Sequence, residues 1–194
     1  MKLRAFGHRL IRPFARFLRQ EEGSIIVEGT LLLPMLLWAT FGLYVYWDAY
    51  KTHNTLQKAT YSVADAYSRL QANATVPFAN GIEDMMNYVI PRDENARLRV
   101  TSVIWSQARN RYEVTWSCSL DRVTMPALTT GDLANYAGKL PVVADAMTLL
   151  LVESRYDFTP VMDMGLDPLT FRVFVATPPR WAEIGFNSPQ NCGL

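Results

Sequence analysis

A chain of 194 residues has room for one membrane segment and one compact domain of roughly 100 residues or a little more, or for one somewhat larger soluble domain, and this excludes two full enzyme domains. The formal net charge is +1, but residues 1–23 contain six basic and two acidic side chains, so the remainder is net negative. That remainder lacks the positive charge expected of a nucleic-acid binder, and we expect no nucleic-acid partner.

The first predicted element is an apolar helix. Residues 25–47 are almost continuously apolar, and only Glu28, Thr30 and Thr40 among them are distinctly polar. As an α-helix rising about 1.5 Å per residue they extend roughly 34 Å, enough for a hydrocarbon core of about 30 Å. A core helix is the alternative, but core helices seldom stay apolar on all sides for so long. We therefore predict a transmembrane helix over residues 24–47.

The charges around this helix predict its orientation. The basic leader, residues 1–23, precedes it, whereas Asp48 follows it and only Lys51 and Lys58 lie near its end. Basic flanks stay in the cytoplasm, so we expect a single-pass protein of the bacterial inner membrane, with a cytoplasmic N-terminus and a periplasmic C-terminal domain. A cleaved signal peptide would need a shorter apolar core, of about 7–15 residues, that ends in a small-residue site.

One carboxylate, that of Glu28, lies near the start of the predicted membrane helix. Near a bilayer centre an acidic side chain costs on the order of 2.5–3.5 kcal/mol, and less at this shallower depth. A cost of this kind favours a partner for the carboxylate. The alternative is that the side chain extends to the lipid headgroups beside a plain signal anchor.

Residues 20–28 read Gln-Glu-Glu-Gly-Ser-Ile-Ile-Val-Glu, behind a basic stretch and before the apolar run. This resembles the processing region of type IV prepilins, in which a prepilin peptidase cuts after a glycine and leaves glutamate as the fifth mature residue. The resemblance implies a cut between Gly23 and Ser24, with Glu28 as that residue. The new amine of Ser24 would pair with the Glu28 carboxylate of a neighbouring subunit and favour assembly in a fixed register.

A longer stretch of sequence makes the resemblance more specific. Residues 22–34, Glu-Gly-Ser-Ile-Ile-Val-Glu-Gly-Thr-Leu-Leu-Leu-Pro, are similar to the N-terminal signature of TadE-like pseudopilins of the tight-adherence (Tad, or Flp) pilus, in which an aliphatic run ends in proline. The resemblance implies a pseudopilin or minor pilin that takes part in pilus assembly and surface adhesion. Its implied partners are other pilins or pseudopilins, the Tad secretion machinery, prepilin peptidase and the lipid bilayer, and it could be incorporated in a pilus.

Two single residues in this stretch have consequences of their own. Pro34 lacks an N–H and crowds the carbonyl of Thr30, so we predict a helix kink there. Gly29 stands where members processed as prepilins commonly carry an aromatic residue, and related Tad proteins can keep an uncleaved anchor. A single-pass periplasmic scaffold or binding protein with an uncleaved anchor is therefore a second hypothesis. A type II secretion pseudopilin is a nearer variant of the first hypothesis, and an exported enzyme is a third.

After the membrane helix the pattern predicts a stem helix over residues 48–70. Its apolar residues recur at helical spacing and form one stripe: Leu56, Ala59, Val63, Ala66 and Leu70. We expect this stripe to pack on the chain's own domain, with a seam between subunits as the alternative. Residues 71–95 contain several proline, glycine and asparagine residues and read as a connection with one short helix around residues 82–89.

Residues 96–194 are predicted to form a small α+β domain with an antiparallel sheet of about four strands and one or more short helices. Strand patterns cover residues 97–105, 111–121, 149–158 and 169–176, and helical material covers 133–147. In the second strand apolar residues alternate with polar ones, which predicts that they share one face: Tyr112, Val114, Trp116, Cys118 and Leu120.

Only Cys118 and Cys192 contain sulfur that could bridge, and both lie on the predicted exported side, where disulfides persist. We predict a bond between them, with two unpaired thiols as the alternative. No nucleophile elbow, zinc-binding helix motif, phosphate-binding glycine loop or C-x-x-C pair is present. We therefore expect no catalytic residue, no metal ligands and no cofactor, and we expect the protein not to be an enzyme.

Overall fold

The structure is a computed structural model that describes residues 24–90, 96–136, 138–181, 183–189 and 192–193. The chain divides into two compact units, Met1–Tyr46 and Trp47–Leu194. The basic leader and Gly23 lie outside the described residues. The elements in chain order are α1 (Ser24–Ser68), α2 (Val76–Val89), β1 (Arg97–Ser106), β2 (Arg111–Ser119), a short 3-10 helix (Asp132–Tyr136), β3 (Thr148–Phe158) and β4 (Leu169–Thr177).

The four strands form one antiparallel sheet in the order β2-β1-β3-β4. The predicted antiparallel sheet of four strands is therefore confirmed, and each strand begins and ends close to its predicted position. β1 and β3 are the central strands, and Val100 of β1 lies opposite Cys118 on one side and Val152 on the other. β2 and β4 are the two edges of the sheet.

The two helices cover the first face of the sheet. In α1, Leu56 and Val63 have no exposed surface, and they pack with Met86 of α2 against Leu150 and Val152 of β3. The apolar stripe after the predicted membrane segment therefore packs on the chain's own domain, as predicted. This arrangement satisfies the amphipathic helix without a second subunit.

Helix α2 begins six residues earlier than the sequence pattern predicted. The hydroxyl of Thr75 accepts the backbone N–H of Phe78 at 3.3 Å and caps the helix, and Pro77 lies in the first turn, where its missing N–H costs nothing. A segment read as mostly connection is thus a 14-residue helix whose inward face buries Ala79, Ile82 and Met86.

The second face of the sheet is covered by the segment between β2 and β3. Leu133 of the 3-10 helix packs with Val103, Tyr112, Leu149 and Leu151 in a separate apolar cluster. Both faces of the central strands are therefore buried, so β1 and β3 contain long runs without exposed residues.

The prediction that β2 presents one apolar face is wrong. Val103 lies opposite Val114, but the preceding residue, Ser102, lies opposite Trp116, so Thr115 is an extra residue in β2. Such a bulge reverses the alternation of side chains. Tyr112 and Val114 consequently pack on the second face, whereas Trp116 and Cys118 pack on the helical face.

The C-terminal segment is fastened to β2. Cys118 and Cys192 are joined by the expected disulfide bond, across 74 positions of sequence. The Trp116 indole N–H donates to the carbonyl of Ile184 at 2.6 Å. Gly193 has a φ of +71°, and a Cβ atom there would lie 2.6 Å from the carbonyl oxygen of Ser119, so only glycine fits this approach.

Candidate functional site

The first candidate site is the apolar part of α1. From Ile25 to Leu43 every large apolar side chain is at least 45% exposed. By length and composition this helix could cross a membrane. A contiguous apolar surface of this extent is rare on soluble proteins and marks a segment that contacts lipid or other proteins.

The polar side chains of this segment fall into two groups. The hydroxyls of Thr30 and Thr40 donate to the carbonyls of Ile26 and Leu36, each at 2.7 Å, so their hydrogen bonds are made within the helix. This is how such residues are accommodated in lipid. Glu28 differs, because its side chain is exposed and no cation of the described residues lies within ion-pairing distance.

The other residues that were predicted to matter for processing lie at the start of the same helix. Ser24 is the first residue of α1, while its predicted cleavage partner Gly23 is outside the described residues. Pro34 lies inside α1, and helical structure continues on both sides of it. The predicted kink at Pro34 and the predicted cleavage stay predictions.

A buried ion pair lies between the sheet and its second-face covering segment. Arg99 of β1 is 7% exposed and Glu153 of β3 is 9% exposed. The guanidinium donates to Glu153 Oε2 through Nε at 2.7 Å and contacts the same oxygen through Nη2 at 2.6 Å. It also donates to the Pro126 carbonyl at 2.6 Å.

The hydroxyl of Tyr136, from the 3-10 helix, completes this group. It accepts from Arg99 Nη2 and donates to Glu153 Oε1, each at 2.9 Å. Burial, and after it the nearby Glu153 charge, raises the pKa of the Tyr136 hydroxyl. The pair is thus fully hydrogen-bonded, which is the condition under which buried charges are tolerated, and it joins the covering segment to the sheet.

Three arginines lie side by side across the neighbouring part of the same face. Arg97 of β1 is opposite Arg155 of β3, which is opposite Arg172 of β4. Two acids neutralise part of this arginine row. Asp157 contacts Arg97 at 2.5 Å and Arg155 at 3.2 Å, and Asp121 contacts Arg97 at 2.6 Å.

This cluster predicts acid sensitivity. The Thr170 hydroxyl, then Arg97 and Arg155, hold the pKa of Asp157 below its ordinary value of 3.8. A lowered carboxyl pKa adds stability above about pH 4 that is lost as the pH falls through the folded-state pKa. Asp157→Asn should therefore lower stability at neutral pH and flatten its decline between about pH 5 and pH 2, measured by thermal unfolding.

The control for this experiment is Asp163→Asn in the β3–β4 loop. Within the described chain the Asp163 carboxylate contacts no arginine, and it accepts only a long bond from the N–H of Gly165. The stability of this variant should depend on pH in the same way as that of the unmodified protein. An Asp157→Asn profile as steep as that of the control would contradict the assigned role.

Two open clefts flank the covering segment. A mainly apolar cleft of about 540 Å³ is lined by Trp105, Tyr112, Leu133 and Leu140. A charged cleft of about 480 Å³ is lined by Arg172, Phe174, Tyr136 and Lys139, among others. In the part of the chain that the structure describes, no group of three or more His, Cys, Asp or Glu side chains is placed to hold a metal.

The sequence reading missed the buried pair and the arginine row. One signal was present, because Arg97 and Arg99 alternate with Leu98 and Val100 in a segment predicted as a strand. That alternation places two cations on one face but does not identify their partners, which come from distant strands. Comparison of the chain with protein-family models, curated proteins and solved structures finds no match.

Proposed function

We propose that this protein is a TadE-like pseudopilin or minor pilin that takes part in assembly of a tight-adherence pilus and so in surface adhesion. The single observation that carries the proposal is the exposed apolar segment of α1, which contains one carboxylate, that of Glu28, in its second turn. The proposed family rests on the pilin-like residues around that carboxylate. The role is structural rather than enzymatic.

The membrane arrangement follows from the same segment. Residues 24–47 would cross the bacterial inner membrane, with the basic leader in the cytoplasm, where positive flanks are retained. The α+β domain would then lie in the periplasm. The Cys118–Cys192 disulfide supports that location, because disulfides persist in oxidising compartments and are rare in the cytosol.

In this proposal the Glu28 carboxylate favours the association of subunits. The threonine hydroxyls of the segment are satisfied within the helix, whereas the Glu28 carboxylate would face hydrocarbon in an isolated subunit. A partner amine, created at Ser24 of a neighbouring subunit by prepilin peptidase, would neutralise it. Because an uncompensated charge in lipid is costly, this pairing favours association of subunits in one register.

The test is Glu28→Gln, produced with the prepilin peptidase and the pilus machinery. Glutamine keeps the size of the side chain and removes its charge. We expect the variant to reach the membrane in normal amount and sheared pili to fall by about ten-fold or more, because the charge pair that sets the register is lost. Thr40→Val, which alters a hydroxyl bonded within its own helix, is the matched control and should leave pili unchanged.

Mass spectrometry of the mature N-terminus separates this proposal from the uncleaved anchor. The pseudopilin predicts a chain that begins at Ser24 and a Gly23 variant that stays uncut. A second candidate, a periplasmic scaffold or binding protein with an uncleaved anchor, is favoured by the two open clefts in the domain. An intact residue 1 together with normal pili in Glu28→Gln would support that candidate and refute the pseudopilin.

A further inference from the structure

The arginine row leaves one cation without a counter-charge. Arg97 and Arg155 share Asp157, and Arg97 also contacts Asp121, but no described carboxylate lies within ion-pairing distance of Arg172. Like charges directly opposite each other on a sheet destabilise it. Arg172 is moreover exposed, on the same face as the charged cleft. Its position is therefore suited to an anion from outside the domain.

The strand that contains Arg172 is also an edge strand of the sheet that the described residues form. β4 pairs with β3 on one side and ends the sheet on the other. Its nine residues, Leu-Thr-Phe-Arg-Val-Phe-Val-Ala-Thr, are rich in β-branched and aromatic types and include no proline and no acid. An edge of this kind is a template for an added strand.

The opposite edge of the sheet is partly occupied. The backbone N–H of Val114 in β2 donates to the Thr130 hydroxyl at 3.1 Å. A loop that follows β2 thus takes up hydrogen-bonding capacity at that edge. The two edges therefore differ, and among the described residues no backbone hydrogen bond occupies the outer edge of β4.

The cleft beside β4 adds a second recognition element. Phe174 lies two residues from Arg172 on the same face, and its ring centroid is 5.8 Å from that of Tyr136. The Lys139 ammonium lies 6.0 Å from the centre of the Phe174 ring and 5.8 Å from that of Tyr136. An aromatic floor with two cations beside it suits an apolar side chain next to an acidic one.

We propose that β4 binds an extended acidic segment of a partner protein as a fifth strand. One carboxylate of that segment pairs with Arg172, and an apolar side chain two residues away packs on Phe174. The period of two along a strand places both on the same face. The backbone of the segment hydrogen-bonds to the free edge of β4, which supplies affinity, while the two side chains supply specificity.

The edge strands of a second copy, β4 and β2, do not provide such a segment. Pairing of β4 with another β4 would bring in a second Arg172 and no acid. The acid of β2, Glu113, already contacts Arg109 at 2.9 Å and Arg111 at 3.1 Å. A small free anion would bind to the cations beside β4 but would form no backbone hydrogen bonds with the edge of the strand. This site is separate from Glu28, so its test is independent of the proposed role in pilus assembly.

The test uses the full chain in detergent micelles and fluorescent nine-residue peptides of alternating valine and threonine. One peptide has a central glutamate and a leucine two residues away, and its matched partner has glutamine in place of the glutamate. We expect the glutamate peptide to bind about ten-fold more tightly in fluorescence anisotropy, because only it forms a charge-assisted pair with Arg172. Hydrogen exchange should show new protection of β4 amides in that complex.

Three variants complete the experiment. Arg172→Gln, at an exposed position without a carboxylate partner, should fold normally and lose the preference for glutamate. Arg172→Glu should prefer a lysine peptide, and Arg111→Gln on the other edge should behave like the unmodified protein. Equal binding of the two matched peptides, or binding of neither, overturns the proposal. So does self-association that Arg172→Gln abolishes, or equal protection of β4 by inorganic phosphate alone.

Discussion

Replacing Glu153 by alanine is expected to lower the free energy of unfolding by about 3–5 kcal/mol. The substitution leaves the guanidinium of Arg99, whose side chain is only 9% exposed, without its carboxylate, and an unpaired buried charge is among the costliest defects in a folded protein. It also removes the acceptor of the Tyr136 hydroxyl. Urea titration of the full chain in detergent micelles, followed by tryptophan fluorescence, measures the loss.

Two further variants make this result specific. Asp65→Ala breaks the exposed pairs with Arg69 and Arg180 and should cost much less, because solvent screens surface ion pairs. The double variant Arg99→Met with Glu153→Leu removes both charges and should recover most of the loss. If Glu153→Ala is no more harmful than Asp65→Ala, the buried pair does not have the structural role assigned to it.

Removing the disulfide is expected to have an effect of similar size. In the chain-entropy relation, a bond that closes a loop of 74 residues contributes about 4 kcal/mol, because it restricts the unfolded chain. Cys192 has no exposed surface and holds the C-terminal segment against β2, where the Trp116 indole bonds to Ile184. The variant with alanine at Cys118 and Cys192 should lose roughly that amount in the same urea titration.

A reducing agent provides the internal control for the disulfide. Incubation of unfolded protein with reductant should bring the unmodified chain to the stability of the double-alanine variant. The same treatment should leave the variant unchanged, because it contains no other cysteine. An unmodified protein whose stability is indifferent to the reductant would contradict the contribution assigned to the bond.

Much of the architecture is readable from local patterns. The apolar run of residues 25–47, the helical stripe that includes Leu56 and Val63, and the strand patterns can all be recognised in a short window of sequence. The long helix and the four strands are therefore present in the structure at nearly their expected positions. The helical material predicted over residues 133–147 is wrong for most of its length, because only the 3-10 helix Asp132–Tyr136 forms there. The sequence pattern did not predict the earlier start of α2, because Thr75 and Pro77 begin the helix within a stretch that otherwise resembles a loop.

The candidate sites also differ in how far local sequence patterns predict them. Glu28 can be recognised as a candidate from the sequence, because its unusual position depends only on the apolar residues that flank it in the chain. The Arg99–Glu153 pair and the position of Arg97 opposite Arg155 depend instead on the pairing of β1 with β3, which joins residues more than 50 positions apart. The division of β2 between two faces depends on an irregular register with β1. One extra residue, Thr115, reverses the facing of every side chain after it. Pairing between distant strands is set by the packing of the whole domain, and no local periodicity contains it.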